Sequence, residues 1–344
     1  MLSYRKLAMR VLGRPLHTGG SGSPRPASQR AAAFILTAAM LTSLTAPAFA
    51  ETWFIENGDI TISAGETEGT NKVSQGERKN VDDTNTTITN RNKDTPSSNT
   101  VTIDAKDEDD KVEVTLKDVN IDASSGSEAA VSVTGKGDTN IELDGDNELK
   151  SGAGHAGLEH NKTDTSGELT IHAQVKITGG NITATSDDWG AGIGSGSDGT
   201  AYVEITGGEI NATGGYLGAG IGGGCNGSGN VTISGGGITA AGGEGAAGIG
   251  GGYYNGATVT ITGDAVIKNA SNTKYGAGIG GGYGYDGDVT ISGNAKIENA
   301  TGGYGAAGIG GGAFSSPDKI GNGNVVIKEN AEIDNVQGGA YGAG

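Results

Sequence analysis

Apolar residues in this chain recur in pairs two positions apart: Val203-x-Ile205, Val231-x-Ile233, Val259-x-Ile261, Val289-x-Ile291 and Val325-x-Ile327, with an earlier copy at Val175-x-Ile177. Alternation with a period of two marks a strand that buries one face. After each pair comes a glycine-rich or Asn/Asp-containing bend and then another isoleucine: Ile182, Ile210, Ile238, Ile267, Ile297 and Ile333. A third phrase closes each unit. It reads Gly-Ala-Gly-Ile-Gly at 190–194, 218–222 and 276–280, and Ala-Gly-Ile-Gly at 247–250 and 307–310. Its isoleucines, Ile193, Ile221, Ile249, Ile279 and Ile309, are spaced 28, 28, 30 and 30 apart. A fixed period of this size signals a solenoid, whose units bury their apolar faces only by stacking on neighbours.

These phrases predict an all-β chain with three short strands and three bends per coil of 28–30 residues. Nothing repeats at 3.6, so helices are not expected. The runs are too short for hairpins. The architecture that fits is a parallel β-helix: each strand pairs with its copy about 4.8 Å away in the next coil, and the isoleucines form columns inside the tube. Glycine and alanine in the third phrase permit a narrow corner.

The rest of the chain divides around this array. Residues 1–50 read as an export signal. Six basic residues and no acidic one precede the apolar run Ala31–Leu44, and Ala48-Phe49-Ala50 offers a cleavage site. No other apolar run is long enough to cross a bilayer, so no membrane insertion is expected once the signal is removed. Residues 51–98 are polar, with strands expected at Trp53–Ile55 and Ile60–Ile62. Thr84–Ile88 is the only other strand-like piece, and the remainder reads as a loop or irregular cap over the first coil. Residues 99–189 form wider, less regular coils through Val101-Thr-Ile103, Val112–Leu116, Val131-Ser-Val133, Ile141-Glu-Leu143, Leu169-Thr-Ile171 and Val175-Lys-Ile177. Residues 190–344 are the regular repeats. The chain stops inside a motif at Gly342-Ala343-Gly344, which predicts a truncated last coil with a cap and anchoring modules beyond it.

Composition changes this picture in three places. Glycine supplies 67 of 344 residues, which alone would suggest a low-complexity chain. The phased β-branched residues supply the apolar area that such chains lack. Subtracting the six leader charges from 23 basic residues leaves 17 against 40 acidic, a balance of −23; nucleic acid and anionic surfaces are therefore not expected partners. The single cysteine, Cys225, excludes an intrachain disulfide.

The run Lys111–Ile121, with Ala130–Val133, Asn140–Leu143, Asn147–Lys150, Ile177-Thr-Gly-Gly-Asn-Ile182 and Trp189-Gly-Ala-Gly-Ile-Gly194, resembles a family of bacterial carbohydrate-binding-domain proteins of the clostridial cell-surface type. The resemblance spans roughly residues 100–330 and rests on structural phrases rather than ligand signatures. It implies a right-handed parallel β-helix similar to polysaccharide lyases, with association to cellulose, pectin-like chains and calcium. The more regular later array looks like the repeats of secreted Gram-positive surface proteins.

Three kinds of chemistry are then candidates. Trp189, Tyr216, Tyr253, Tyr275, Tyr283, Tyr304 and Tyr341 flank the Gly-Ile-Gly phrases, so stacking would align them into a row able to bind a polysaccharide. The alternative is that they lean on one another and shield the thin glycine corner. Asp104, Asp107, Asp109 and Asp110 crowd one turn and are candidate calcium ligands, although no EF-hand spacing is present. Catalysis is not expected. Arg91 is the last arginine, the histidines of the body are His155, His160 and His172, and the paired carboxylates a glycosidase needs are not singled out, with Asp187 and Asp286 or Asp288 the pairing left open. The sequence therefore predicts a secreted or cell-surface protein, wall-attached if an anchoring module follows, with a non-catalytic polysaccharide-binding or adhesive role. A structural spacer is the alternative, and a lyase or glycosidase the second alternative.

Overall fold

The computed structural model describes residues 50–161, 175–315 and 321–344, with Val175–Thr178 described as backbone. The expected leader, the strand at Leu169–Ile171 and His172 lie outside those residues. Among the described residues the regular structure is strand throughout, apart from one 3-10 turn at Ile55–Asn57.

Three sheets wind along one tube, and from coil to coil their strands pair in parallel, so the parallel β-helix is the fold observed. Sheet I holds ten strands, running from Thr52–Phe54 to Gly323–Ile327. Sheet II holds eight, from Asn120–Asp122 to Glu332–Gln337. Sheet III holds eleven and ends at Ile309–Gly310. The chain visits III, I and II in turn. In the regular repeats the third strand is only two residues, Ile-Gly, against five or six in the other sheets.

The columns follow from register. In sheet III, Ile60, Val101, Val131, Leu158, Ile193, Ile221, Ile249, Ile279 and Ile309 pair in succession. Sheet I stacks Val203 through Val289 and Ile205 through Ile291. Sheet II stacks Ile182 through Ile297. All are buried, and each such side chain contributes about 2 kcal/mol by leaving water. Beside the sheet II isoleucines, Ile121 and Leu149 give way to Ala184, Ala212, Ala240, Ala270 and Ala300. The tube therefore narrows where the regular repeats begin. A bulge at Lys268, where the register between Gly237–Ala241 and Val266–Ser271 shifts, takes up one of the two residues by which the later coils are longer.

The polar stretch 65–98 is more ordered than its composition suggests. Besides the expected strand, seen at Thr86–Thr89, it contains the antiparallel hairpin Asn71–Gln75 and Arg78–Asp83, laid on the free edge of Ile60–Ala64. A hairpin here satisfies the edge that the first coil would otherwise expose. It escapes an apolar-pattern reading because its inward positions are Asn71, Val73 and Gln75. The two amides are buried but paired. Asn71 Nδ2 donates to Thr86 Oγ1 (2.8 Å) and the Glu113 carbonyl (2.7 Å), and Gln75 Nε2 donates to the Phe54 and Gly58 carbonyls. Buried Asp83 accepts Trp53 Nε1 at 2.7 Å, and the Arg78 guanidinium stacks 4.4 Å from the same indole.

Candidate functional site

The third phrase builds the surface of interest. In each regular coil the alanine N–H donates to the carbonyl four residues on, as in Ala247 N to Gly251 O (2.8 Å) and Ala277 N to Gly281 O (3.0 Å). This closes a tight arch with the isoleucine pointing into the tube. The glycine after it must adopt an unusual backbone: Gly250 has φ +138°. A Cβ on Gly250 would also lie 2.0 Å from the Gly280 carbonyl oxygen of the next coil. Only glycine meets both demands.

The arch brings the loop before it and the loop after it side by side. They bond across coils: Cys225 N donates to Trp189 O (2.7 Å), Tyr253 N to Leu217 O (3.0 Å), Tyr283 N to Gly245 O (2.6 Å) and Ala313 N to Tyr275 O (2.8 Å). Aromatic residues from both loops therefore merge into one patch. Tyr253 and Tyr283 stack at 4.8 Å with an interplanar angle of 20°, close to one coil step. Tyr275 meets Tyr283 edge-on at 5.2 Å, and Tyr304 meets Tyr275 at 6.3 Å and Tyr341 at 5.6 Å. The ring of Tyr253 covers Gly245, and that of Phe314 covers Gly284.

Of the seven predicted aromatics, five join this patch: Tyr253, Tyr275, Tyr283, Tyr304 and Tyr341. Trp189 and Tyr216 lie on the same corner in earlier coils, exposed, with no ring contact to the patch among the described residues. Glu244 takes the position between Tyr216 and Tyr275, which breaks the expected row. Three members were missed: Tyr254 (edge-on to Tyr253, 4.1 Å), Tyr285 and Phe314. Their signal was the arch-to-arch phase of the second loop, where Tyr254 occupies the place of Asp198, Asn226 and Gly284.

Burial divides the patch into two layers. Tyr283 is only 9% exposed, and its hydroxyl accepts the Ser315 N–H at 3.0 Å. Burial, then the neighbouring Tyr254 hydroxyl, pushes the Tyr253 phenol well above its ordinary range. These two rings pack face to face on each other. Tyr304 (51%) and Tyr341 (87%) face water, as do Tyr254 and Tyr285. The lysine of the patch, Lys274, is held by Glu244 at 2.5 Å, which raises its pKa. Cys225 is buried, and burial with Asp198 and Asp188 raises its thiol pKa, a poor setting for disulfide formation.

The acidic turn is held by its own backbone. Asp110 N donates to Asp107 O, Asp107 N donates to Asp110 Oδ2, Asp104 pairs with Lys106 at 3.8 Å, and Asp109 is exposed. Among the described residues no group of three or more His, Cys, Asp or Glu side chains is placed to hold a metal ion. Asp187 and Asp286, of the carboxylate pairing left open, each have a partner of their own. Asp187 pairs with Lys150 at 3.6 Å, and the Asp286 carboxylate accepts the Asn322 N–H at 2.6 Å.

A separate cleft of about 620 Å³ lies between the loop at Glu68–Gly69, which leads from Ile60–Ala64 into the hairpin, and the outer face of sheet I, where Lys111, Glu113, Asn140 and Glu142 line it. No aromatic residue contributes to it.

A family model described as Beta helix repeat matches residues 175–197, 203–225, 231–253 and 289–313. Each match starts at the first valine of a sheet I strand and runs past the following arch, one coil at a time. By fold the chain is a parallel β-helix repeat protein. No curated protein and no solved structure gives a significant match to it. The repeat match and the register together account for the solenoid, and they assign no ligand to the aromatic patch.

Proposed function

We propose that this β-helix repeat protein is exported and acts, without catalysis, as a polysaccharide-binding or adhesive rod. The observation that carries the reading is the exposed outer layer of the aromatic patch. Monomeric surfaces rarely keep contiguous apolar rings in water without a partner, and tyrosine presents a flat apolar face with a hydroxyl that bonds polar ligands. Inner rings Tyr253 and Tyr283 serve as the footing, and Tyr304 and Tyr341 as the contact. The basic leader, with five arginines and one lysine, and its Ala-x-Ala site support export. A glycan array tests the proposal: wild type binds a subset of glycans and Tyr304→Ala loses them. A rod that serves only as a spacer binds none.

Hydrolysis is the second reading, and one observation favours it. Glu113 and Glu142, on adjacent sheet I strands, line the same cleft, and cleaving a glycosidic bond takes two carboxylates. Reducing-sugar release that disappears in Glu142→Gln would establish it, and release below background in wild type would end it.

A further inference from the structure

The shape and charge of the aromatic patch say which polysaccharides it can take; this rests on the binding role proposed above. Flat crystalline polysaccharide presents a planar lattice, and holding it needs several coplanar rings. The contact rings here are not coplanar: successive planes turn by 88° from Tyr275 to Tyr304 and by 73° from Tyr304 to Tyr341. The one face-to-face pair, Tyr253 and Tyr283, spends its facing surfaces on itself. Rings turned edge-to-face line a short track of about two coil steps, roughly 10 Å long. A single chain can follow that track by twisting, while a lattice face touches it at one ring.

Charge narrows the class further. Acidic polysaccharides need free cations, and arginine is the residue best suited to grip carboxylates. Arg91 is the last arginine of the chain, and among the described residues the lysine of the patch, Lys274, is already held by Glu244. Asp286 sits in the same loop as Tyr285, its carboxylate accepting the Asn322 N–H. The chain as a whole carries −17, which repels polyanions at long range.

We propose that the patch binds single, soluble, uncharged glycan chains and rejects both crystalline and acidic polysaccharides. The test is affinity electrophoresis of the full chain in gels containing soluble neutral polysaccharides (hydroxyethyl cellulose, mixed-linkage β-glucan, glucomannan) or polygalacturonate, with co-sedimentation on microcrystalline cellulose alongside. Expected is retardation by at least one neutral polymer, weakened about tenfold in Tyr304→Ala and in Tyr341→Ala, with none by polygalacturonate and no co-sedimentation. Both side chains are exposed, and unchanged circular dichroism confirms that the variants fold. Binding to cellulose crystals or polygalacturonate as strong as to any neutral polymer overturns this inference and leaves the binding role standing. Binding to nothing overturns both. Retardation unchanged in the two variants shows that the ligand sits elsewhere and removes the patch from the account.

Discussion

Gly250 carries two constraints at once, a φ of +138° and a carbonyl 2.0 Å from where a Cβ would stand. Gly250→Ala is therefore expected to destabilise the protein by about 2–4 kcal/mol, measured by urea unfolding. Gly126→Ala, whose Cβ meets only a carbonyl at 3.5 Å, should change stability by less than about 0.5 kcal/mol. Thr139 makes the opposite case. It lies between Val112 and Val175 in a sheet I column, fully buried, and its Oγ1 has no hydrogen-bond partner among the described residues. Thr139→Val keeps the shape and removes the stranded hydroxyl, so a gain of about 1 kcal/mol is expected in the same unfolding experiment. The glycine was legible in the sequence because its motif recurs. Thr139 was not, since a threonine in a strand reads the same whether it faces water or the core.

The strand Leu158–His160 joins the irregular coils to the regular ones. Glutamate replaces the arch glycine here, so the backbone stays extended and three residues pair with Val131–Val133, where later coils manage two. Glu159 is buried, and its carboxylate accepts His155 Nδ1 (2.9 Å), Ala156 N (2.9 Å) and Asn161 Nδ2 (2.9 Å). His160 is also buried, and burial lowers its pKa from 6.5 to about 4. Its neutral form belongs to the fold, so its contribution is complete above pH 6.5 and is lost as pH falls towards about 4, by up to about 3 kcal/mol. His155 runs the other way: the hydrogen bond to Glu159 raises its pKa, so its contribution is present below 6.5 and is lost as pH rises through the folded value. Urea unfolding at pH 7 and pH 4.5 should show a loss in wild type that is smaller in His160→Leu; an equal loss in both would mean that another group titrates. The hairpin at 71–83 belongs to the same scale. Apolar periodicity could not reveal it, because buried amides with carbonyl partners replace the expected hydrophobic residues.

Along the whole molecule, the parallel fold was legible because nearly every inward position of the regular coils repeats its neighbour. In-register pairing of like side chains then follows from the period. The aromatic patch was legible only in part. Sequence phase placed Tyr275, Tyr304 and Tyr341 on one corner, but it could not show that the loop after each arch folds back onto the loop before it in the preceding coil. That backbone pairing is what brings in Tyr254, Tyr285 and Phe314 and buries Tyr283. The account's central claim is that the outer rings of this patch touch the glycan. Solution NMR with ring-labelled tyrosine, titrated with the neutral polymer that retards the protein, tests it directly. Shifts in the Tyr304 and Tyr341 ring signals with little change at Tyr202, on the outer face of sheet I, are the predicted result. Saturable binding that leaves Tyr304 and Tyr341 unmoved would contradict it.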